Sequence, residues 1–205
     1  MSGWRTLSGT AVALPQANID TDQLIPARFM SQPRANGYGS FLLHDARQDD
    51  PDHPLNRHLD AKVLVTRRNF GTGSSREAAV YALSDFGIRA VLAPSFGDIF
   101  AANAVNNGVL PAKVDAQIIE NTINRMGEGA HVVTLSLDAC MATIGNADIP
   151  FTLDPMWQRK LMNGWDDIDL TQQHAPEIAE FRAARWAAHP WAMPRQKTPH
   201  SARQD

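Results

Sequence analysis

The sequence predicts an α/β domain, and three observations carry that prediction. Short apolar runs of strand length alternate with segments of helical periodicity. One such run, residues 61–66, passes through a glycine-rich turn into a helix and on to a second apolar run, residues 90–93. Strand, helix and strand at that spacing form a βαβ unit, whose two strands should be parallel. Finally, Gly87, Gly108 and Gly127 each close a periodic segment, as glycine does at helix ends.

Taken in order, residues 7–14 alternate weakly and read as a strand, and 15–26 read as a loop rich in Asn, Asp and Thr. Residues 28–56 carry Gly, Pro and charge with little periodicity, a long excursion of the kind that forms lids or binding loops. Ser74-x-x-Glu77 reads as a capping box opening a helix over 75–86, with Ala79, Ala82, Leu83 and Phe86 on its inward stripe. Ser95-x-x-Asp98 is a second capping signature, for a helix to about residue 107. Strand-like 109–114 precedes a helix over 115–126. Alternating strands follow at 131–137, 139–144 and 149–153, with a turn at Gly145-Asn146. Helices are expected at 155–162, ended by Asn163-Gly164, and at 176–188. One domain over 1–189 and a frayed tail over 190–205 are the expected organisation.

Composition narrows the function classes. The formal net charge of -3 gives no footprint for nucleic acid or an acidic membrane surface. No apolar run approaches the length of a membrane span, and residues 1–10 hold no apolar core of a secretory signal, so the expected location is the cytoplasm. The single cysteine, Cys140, rules out an internal disulfide and any iron–sulfur or zinc site built from several thiolates of this chain. Cys140 itself reads as a buried inert thiol. The histidines show no His-x-x-x-His spacing, no Gly-x-Ser-x-Gly elbow is present, and no metal ligands are assigned.

The stretch richest in chemistry is Arg68-Asn69-Phe70-Gly71-Thr72-Gly73-Ser74-Ser75-Arg76-Glu77. It gathers backbone N–H groups, two hydroxyls and a guanidinium where a helix begins, a setting for a small carboxylate. A cation in a first helical turn opposes the helix dipole by about 0.3–1 kcal/mol, and a bound anion would reverse that sign. The competing reading of Arg76 is a solvated surface arginine. The loop fails the dinucleotide fingerprint, because Arg76 stands where a third glycine belongs, and it lacks a P-loop lysine. A ligand smaller than a nucleotide is the natural guest.

These residues resemble a known family. The segment 69–77 resembles the signature of the aconitase swivelling domain, in the form seen in the small subunits of bacterial 3-isopropylmalate dehydratases. Asn18-Ile19-Asp20-Thr21-Asp22-Gln23-Leu24-Ile25-Pro26 is similar to the family's N-terminal motif. Residues 93–100 and 103–111 resemble the segment after the βαβ unit, and residues 162–171 resemble the C-terminal signature. The resemblance implies a compact β/β/α swivelling fold, as in the aconitase C-terminal domain, with mixed sheets and packed helices. It implies a hydro-lyase of leucine biosynthesis that interconverts 2-isopropylmalate and 3-isopropylmalate by dehydration and rehydration. It also implies a separate large subunit carrying a [4Fe-4S] cluster, with this chain closing the site over a small hydroxy-dicarboxylate.

Carried over residue by residue, the resemblance makes Ser74 the base that takes a proton from carbon and Arg76 the holder of a substrate carboxylate. Ser75, Gly73 and Thr72 line the same turn. Asp20, Thr21 and Asp22 resemble a second pocket-forming turn, against the alternative of an Asx-type turn bonding its own backbone. Arg28 stands as a second carboxylate contact, against a solvated loop arginine. Phe29, Met30, Tyr38, Phe41 and Leu42 offer an apolar wall for an isopropyl group, against ordinary core. Two positions depart from the family pattern: Thr72 stands in place of Cys, and Ala78 in place of His. They leave open a related acid, 2-methylmalate (citramalate) or a dimethylmalate. A non-catalytic anion-binding module is the rival from another class.

Overall fold

The computed structural model describes residues 3–192. The chain divides into two compact units, one ending at Asp166 and one beginning at Asp167. The first holds a seven-stranded mixed sheet. Strand β1 (Thr6–Leu14) is followed by the one-turn helix α1 (Thr21–Leu24), short 3-10 turns, and helices α2 (His44–Asp49) and α3 (Pro54–Arg57). Next come β2 (Ala61–Thr66), α4 (Ala78–Phe86), β3 (Ala90–Ala93), α5 (Asp98–Asn106), β4 (Leu110–Lys113) and α6 (Ala116–Met126). A meander of β5 (Ala130–Ser136), β6 (Met141–Ile144) and β7 (Ala147–Pro150) leads into α7 (Pro155–Asn163). The second unit contains α8 (Asp167–Gln172) and α9 (Ala175–Ala188). Pro190–Ala192 is a 3-10 turn, and the rest of the expected tail lies outside the described residues.

The spatial order is β4-β3-β2-β1-β5-β6-β7. The first four strands are mutually parallel, including the expected β2–β3 pair, whereas β5, β6 and β7 run antiparallel to their neighbours. Alternation along the parallel strands feeds two cores. Val12, Leu14 and Leu64 pack with Leu83, Phe70 and Phe100 on one face. Ala11, Ala13, Val63 and Val65 pack with Ile119, Ile123 and Leu161 on the other. Parallel strands covered on both faces are apolar throughout, which is why their runs stood out in the sequence. β5 instead alternates, with Val133 and Leu135 buried and Val132 76% exposed.

Two capping expectations are corrected. α4 begins at Ala78, not near residue 75, and Glu77 occupies its N-cap position without a side-chain cap bond. α5 begins at Asp98 behind Gly97, again without a side-chain cap. In both cases the capping hydroxyl is taken up by a distant partner. The capping box that does form is in α1, within the segment expected to be loop. There the Asp20 carboxylate accepts the Gln23 N–H at 2.8 Å, and the Gln23 side chain accepts the Asp20 N–H at 2.9 Å. α8 was absent from the sequence expectation.

Candidate active site

Parallel strands deliver their following loops to one edge of a sheet, and ligand sites of α/β folds lie beyond the carboxyl ends of such strands. Here three of those loops are stitched together. The loop after β1 meets the loop after β2 through Asn18 N–H to Arg68 C=O at 2.9 Å, Gly71 N–H to Ile19 C=O at 2.7 Å, and Thr21 N–H to Thr72 C=O at 2.9 Å. The loop after β2 meets the loop after β3 through Phe70 N–H to Ser95 C=O at 3.1 Å and Gly97 N–H to Phe70 C=O at 2.9 Å. The Ser95 hydroxyl accepts the Asn69 N–H at 2.9 Å and donates to the Asn69 side-chain oxygen at 3.0 Å, which is why it is not a helix cap. Asn69 in turn donates to the Asn18 side chain at 2.8 Å.

Backbone geometry explains the residue choices. Asn18 and Asn69 both sit at positive φ, 59° and 62°, where asparagine is tolerated better than most side chains. Gly71 has φ of 72°, and a Cβ there would lie 2.1 Å from the Phe100 ring. The chain therefore passes against a buried aromatic ring that only glycine accommodates.

From this junction the turn Gly73-Ser74-Ser75 emerges exposed. The Ser74 N–H donates to the Thr21 hydroxyl oxygen at 3.1 Å, and the Thr21 hydroxyl donates to Ser74 Oγ at 3.4 Å. This tertiary bond displaces the expected capping box. Glu77 does not turn back to Ser74. Its carboxylate accepts from Asn107 Nδ2 at 2.9 Å. Burial, with that carboxylate second, pushes the Tyr81 hydroxyl pKa up.

Arg76 lies before α4 rather than in its first turn, so the expected opposition to the helix dipole is weaker than the sequence suggested. Its guanidinium pairs with Asp22, with 27% of the Arg76 side chain and 60% of the Asp22 side chain exposed. Ser74, Arg76 and Asp22 thus come together, with Thr21 buried behind Ser74 rather than open to a ligand. They form an open ledge. A neighbouring cleft of about 680 Å³ is lined by Ser95, Phe96, Asp98, Lys113 and Trp157, and not by Ser74 or Arg76.

The chain is similar to known proteins over most of its length. Residues 1–117 match the model of the aconitase C-terminal domain. A 3-isopropylmalate dehydratase small subunit of Shewanella sp. (strain ANA-3) is 42% identical over 195 residues, covering 89% of this chain and 96% of that protein. A small subunit of the same name from Halalkalibacterium halodurans is 38% identical over 193 residues, covering 90% of this chain and all of that one. The chain belongs to the family of 3-isopropylmalate dehydratase small subunits. A crystal structure of a 3-isopropylmalate dehydratase from Methanocaldococcus jannaschii DSM2661 superposes with a TM-score of 0.67 at 25% identity, covering 85% of this chain and 98% of that chain. The swivelling-domain fold expected from the resemblance is the fold observed.

Within this family member the remaining expected positions lie as follows. Arg28 is not on the ledge's hydrogen-bond network. It forms a two-pronged pair with Asp45 of α2 and lies over the Phe29 ring at 4.6 Å. That guanidinium, with His44 second, holds the Asp45 carboxyl down to about 2. Of the proposed apolar wall, Tyr38 and Leu42 are core, Phe29 and Phe41 stack on each other at 4.4 Å, and Met30 is 40% exposed. Asp20 caps its own backbone, the Asx alternative. Thr72 bridges to Asp20 through the backbone, and Ala78 packs against the core. Cys140 lies in a turn rather than a strand, and burial pushes its thiol pKa up. Among the described residues no group of three or more His, Cys, Asp or Glu could hold a metal ion, and no helix is long and apolar enough to cross a membrane.

Sequence reading gave no individual role to Asn18, Asn69 or Asn107, and it read Ser95 as a helix cap rather than as the partner of Asn69. For Asn18 and Asn69 the signal was present: asparagines in the loops that follow predicted strands, at positions where φ is positive. What the sequence did not give was which loops meet.

Proposed function

We infer that this chain is the small subunit of a 3-isopropylmalate dehydratase, a hydro-lyase of leucine biosynthesis that works with a large subunit. The observation that carries the site assignment is the convergence of Ser74 and Arg76 on one exposed ledge, positioned by the ends of β1, β2 and β3. An exposed ledge rather than an enclosed cavity suits a half-site completed by another subunit.

The reaction removes water from a hydroxy-dicarboxylate. The Lewis acidity that makes the substrate hydroxyl a leaving group would come from a [4Fe-4S] cluster held by the large subunit. This chain's lone cysteine is consistent with that division. Ser74 enters as the alkoxide, its own proton already lost to solvent. It takes the carbon-bound proton while the C–H bonding pair forms the new double bond and hydroxide departs with the C–O pair. Rehydration reverses the sequence at the neighbouring carbon, with Ser74 returning the proton. A serine alkoxide is costly to form, so hydrogen-bond donors and positive charge beside Ser74 matter to the rate.

Arg76 holds one substrate carboxylate through its planar fork. Asp22 keeps that guanidinium aimed across the ledge in the absence of substrate. An exposed ion pair of this kind contributes about 0–1 kcal/mol, so a substrate carboxylate can exchange with Asp22 at little cost.

The test is reconstitution without oxygen. The chain alone should show no dehydratase activity, and addition of a cluster-loaded large subunit should produce turnover of 2-isopropylmalate. A panel including 2-methylmalate and a dimethylmalate fixes the substrate, since Thr72 and Ala78 lie in and beside the turn. Carboxylate binding by the isolated chain with no gain from any partner would favour an anion-binding module instead.

A further inference from the structure

We propose that Thr21 is a positioning residue for Ser74, its hydroxyl fixing the Ser74 backbone and donating a hydrogen bond to the Ser74 oxygen when that oxygen carries charge. This rests on the reading of Ser74 as the base.

Thr21 is 1% exposed although the turn it supports is exposed. Its hydroxyl therefore does not face an incoming ligand. Both of its hydrogen bonds go to one residue: Oγ1 accepts the Ser74 N–H at 3.1 Å and donates toward Ser74 Oγ at 3.4 Å. The two bonds are directional partners. A hydroxyl has one proton to give, and with a lone pair facing the Ser74 amide that proton is available for Ser74 Oγ. A bond of 3.4 Å to a neutral hydroxyl is long, and such a bond shortens and strengthens when its acceptor becomes an anion.

The threonine is itself held from several sides. Its N–H bonds to Thr72 C=O at 2.9 Å, and its C=O accepts the Ile25 N–H at 3.1 Å. The capping box between Asp20 and Gln23 fixes the turn that begins with it. Gly73, at φ of 102°, carries the chain past with the Thr21 oxygen 3.4 Å from where a Cβ would sit. A donor fixed in this way needs little rearrangement as charge develops on its acceptor, which is the condition for electrostatic stabilisation of an oxyanion.

The experiment compares Thr21→Val, Thr21→Ser and Ser74→Ala in the enzyme assembled with its large subunit, with hydrogen exchange of the isolated chain alongside. Thr21→Val keeps the shape and removes the hydroxyl. It should lower kcat by about 10- to 100-fold while KM stays within about threefold. Thr21→Ser restores the hydroxyl and should recover most of kcat. The peptide covering 72–77 should exchange faster in Thr21→Val than in Thr21→Ser, since the Ser74 amide loses its acceptor. If Thr21→Val does not assemble, Thr21→Ala against Thr21→Ser gives the same contrast without added bulk. Full kcat in the hydroxyl-less variant beside an inactive Ser74→Ala overturns this inference alone. Equal losses in Thr21→Ser and Thr21→Val also overturn it. An active Ser74→Ala overturns the underlying reading of the base.

Discussion

The two halves of the sheet differ in what they can do. In the parallel half, β1, β2 and β3 all run the same way, so the loops that follow them reach one edge and hydrogen-bond to one another. In the antiparallel half, β5, β6 and β7 are joined by short turns that alternate between edges. Thr143 and Asp148, for instance, bond across the exposed β6–β7 hairpin at 2.8 Å, a local pair with no counterpart from another loop. Both halves bury apolar side chains, but in the parallel half three loops from distant parts of the chain bring their polar groups to one edge. The lesson is that the direction of the strands, more than the chemistry of any one loop, makes a composite site possible here.

The sharpest way to test that contrast is to remove one hydroxyl from each half. Ser74→Ala should lower turnover of the assembled enzyme by about 10³-fold, the scale expected when a reacting group is lost, while thermal unfolding barely moves. Thr143→Ala should leave turnover unchanged and cost less than about 0.5 kcal/mol in urea unfolding. Comparable activity losses in the two variants would erase the distinction between the halves.

A packing change probes the junction itself. Gly71→Ala combines a left-handed backbone with a Cβ 2.1 Å from the Phe100 ring. Strain and overpacking together should destabilise the chain by about 2–4 kcal/mol, read from the urea midpoint. An unchanged midpoint would mean that the loops are not locked together at this point.

The smallest effect concerns Arg28, the arginine held outside the ledge network. Arg28, followed by His44, holds the folded Asp45 carboxyl at about 2, below its ordinary value. A carboxyl with a lowered folded pKa contributes stability that is present above its unfolded pKa and is lost as pH falls through the folded one. The stability difference between wild type and Asp45→Asn should therefore be constant above about pH 5 and shrink toward pH 2. Since both side chains are exposed, the difference should be small and should fall with added salt.

Strands and the family motifs were legible in the sequence because they are local. The runs at 61–66 and 90–93 are apolar on both faces, and the ends of α6 and α7 are marked by Asp115 with Gly127 and by Asp154 with Gly164. The capping box at Ser74 was misread because its competitor, Thr21, is 53 residues away. Ser95 was misread for the same reason, with Asn69 as the competitor, 26 residues away. α1 escaped notice because four residues leave no periodicity, although its Asp20–Gln23 box is present in the sequence. The excursion over 28–56 has no repeating pattern because it is ordered by contacts rather than by period. Arg34, for example, pairs with Asp85 of α4 at 2.6 Å and lies over the rings of Tyr38 and Tyr81. Bringing Ser74 and Arg76 beside Thr21 and Asp22 likewise required knowing that β1 and β2 are neighbours in the sheet.

The central claim is that Arg76 exchanges Asp22 for a substrate carboxylate. Steady-state kinetics of Arg76→Lys in the assembled enzyme tests it most directly, because a point charge replaces a planar fork without removing the cation. KM for 2-isopropylmalate should rise about tenfold or more, with the chain's unfolding midpoint unchanged. Values of KM and kcat within about twofold of wild type would contradict the account, since the guanidinium would then be a surface ion pair and nothing more.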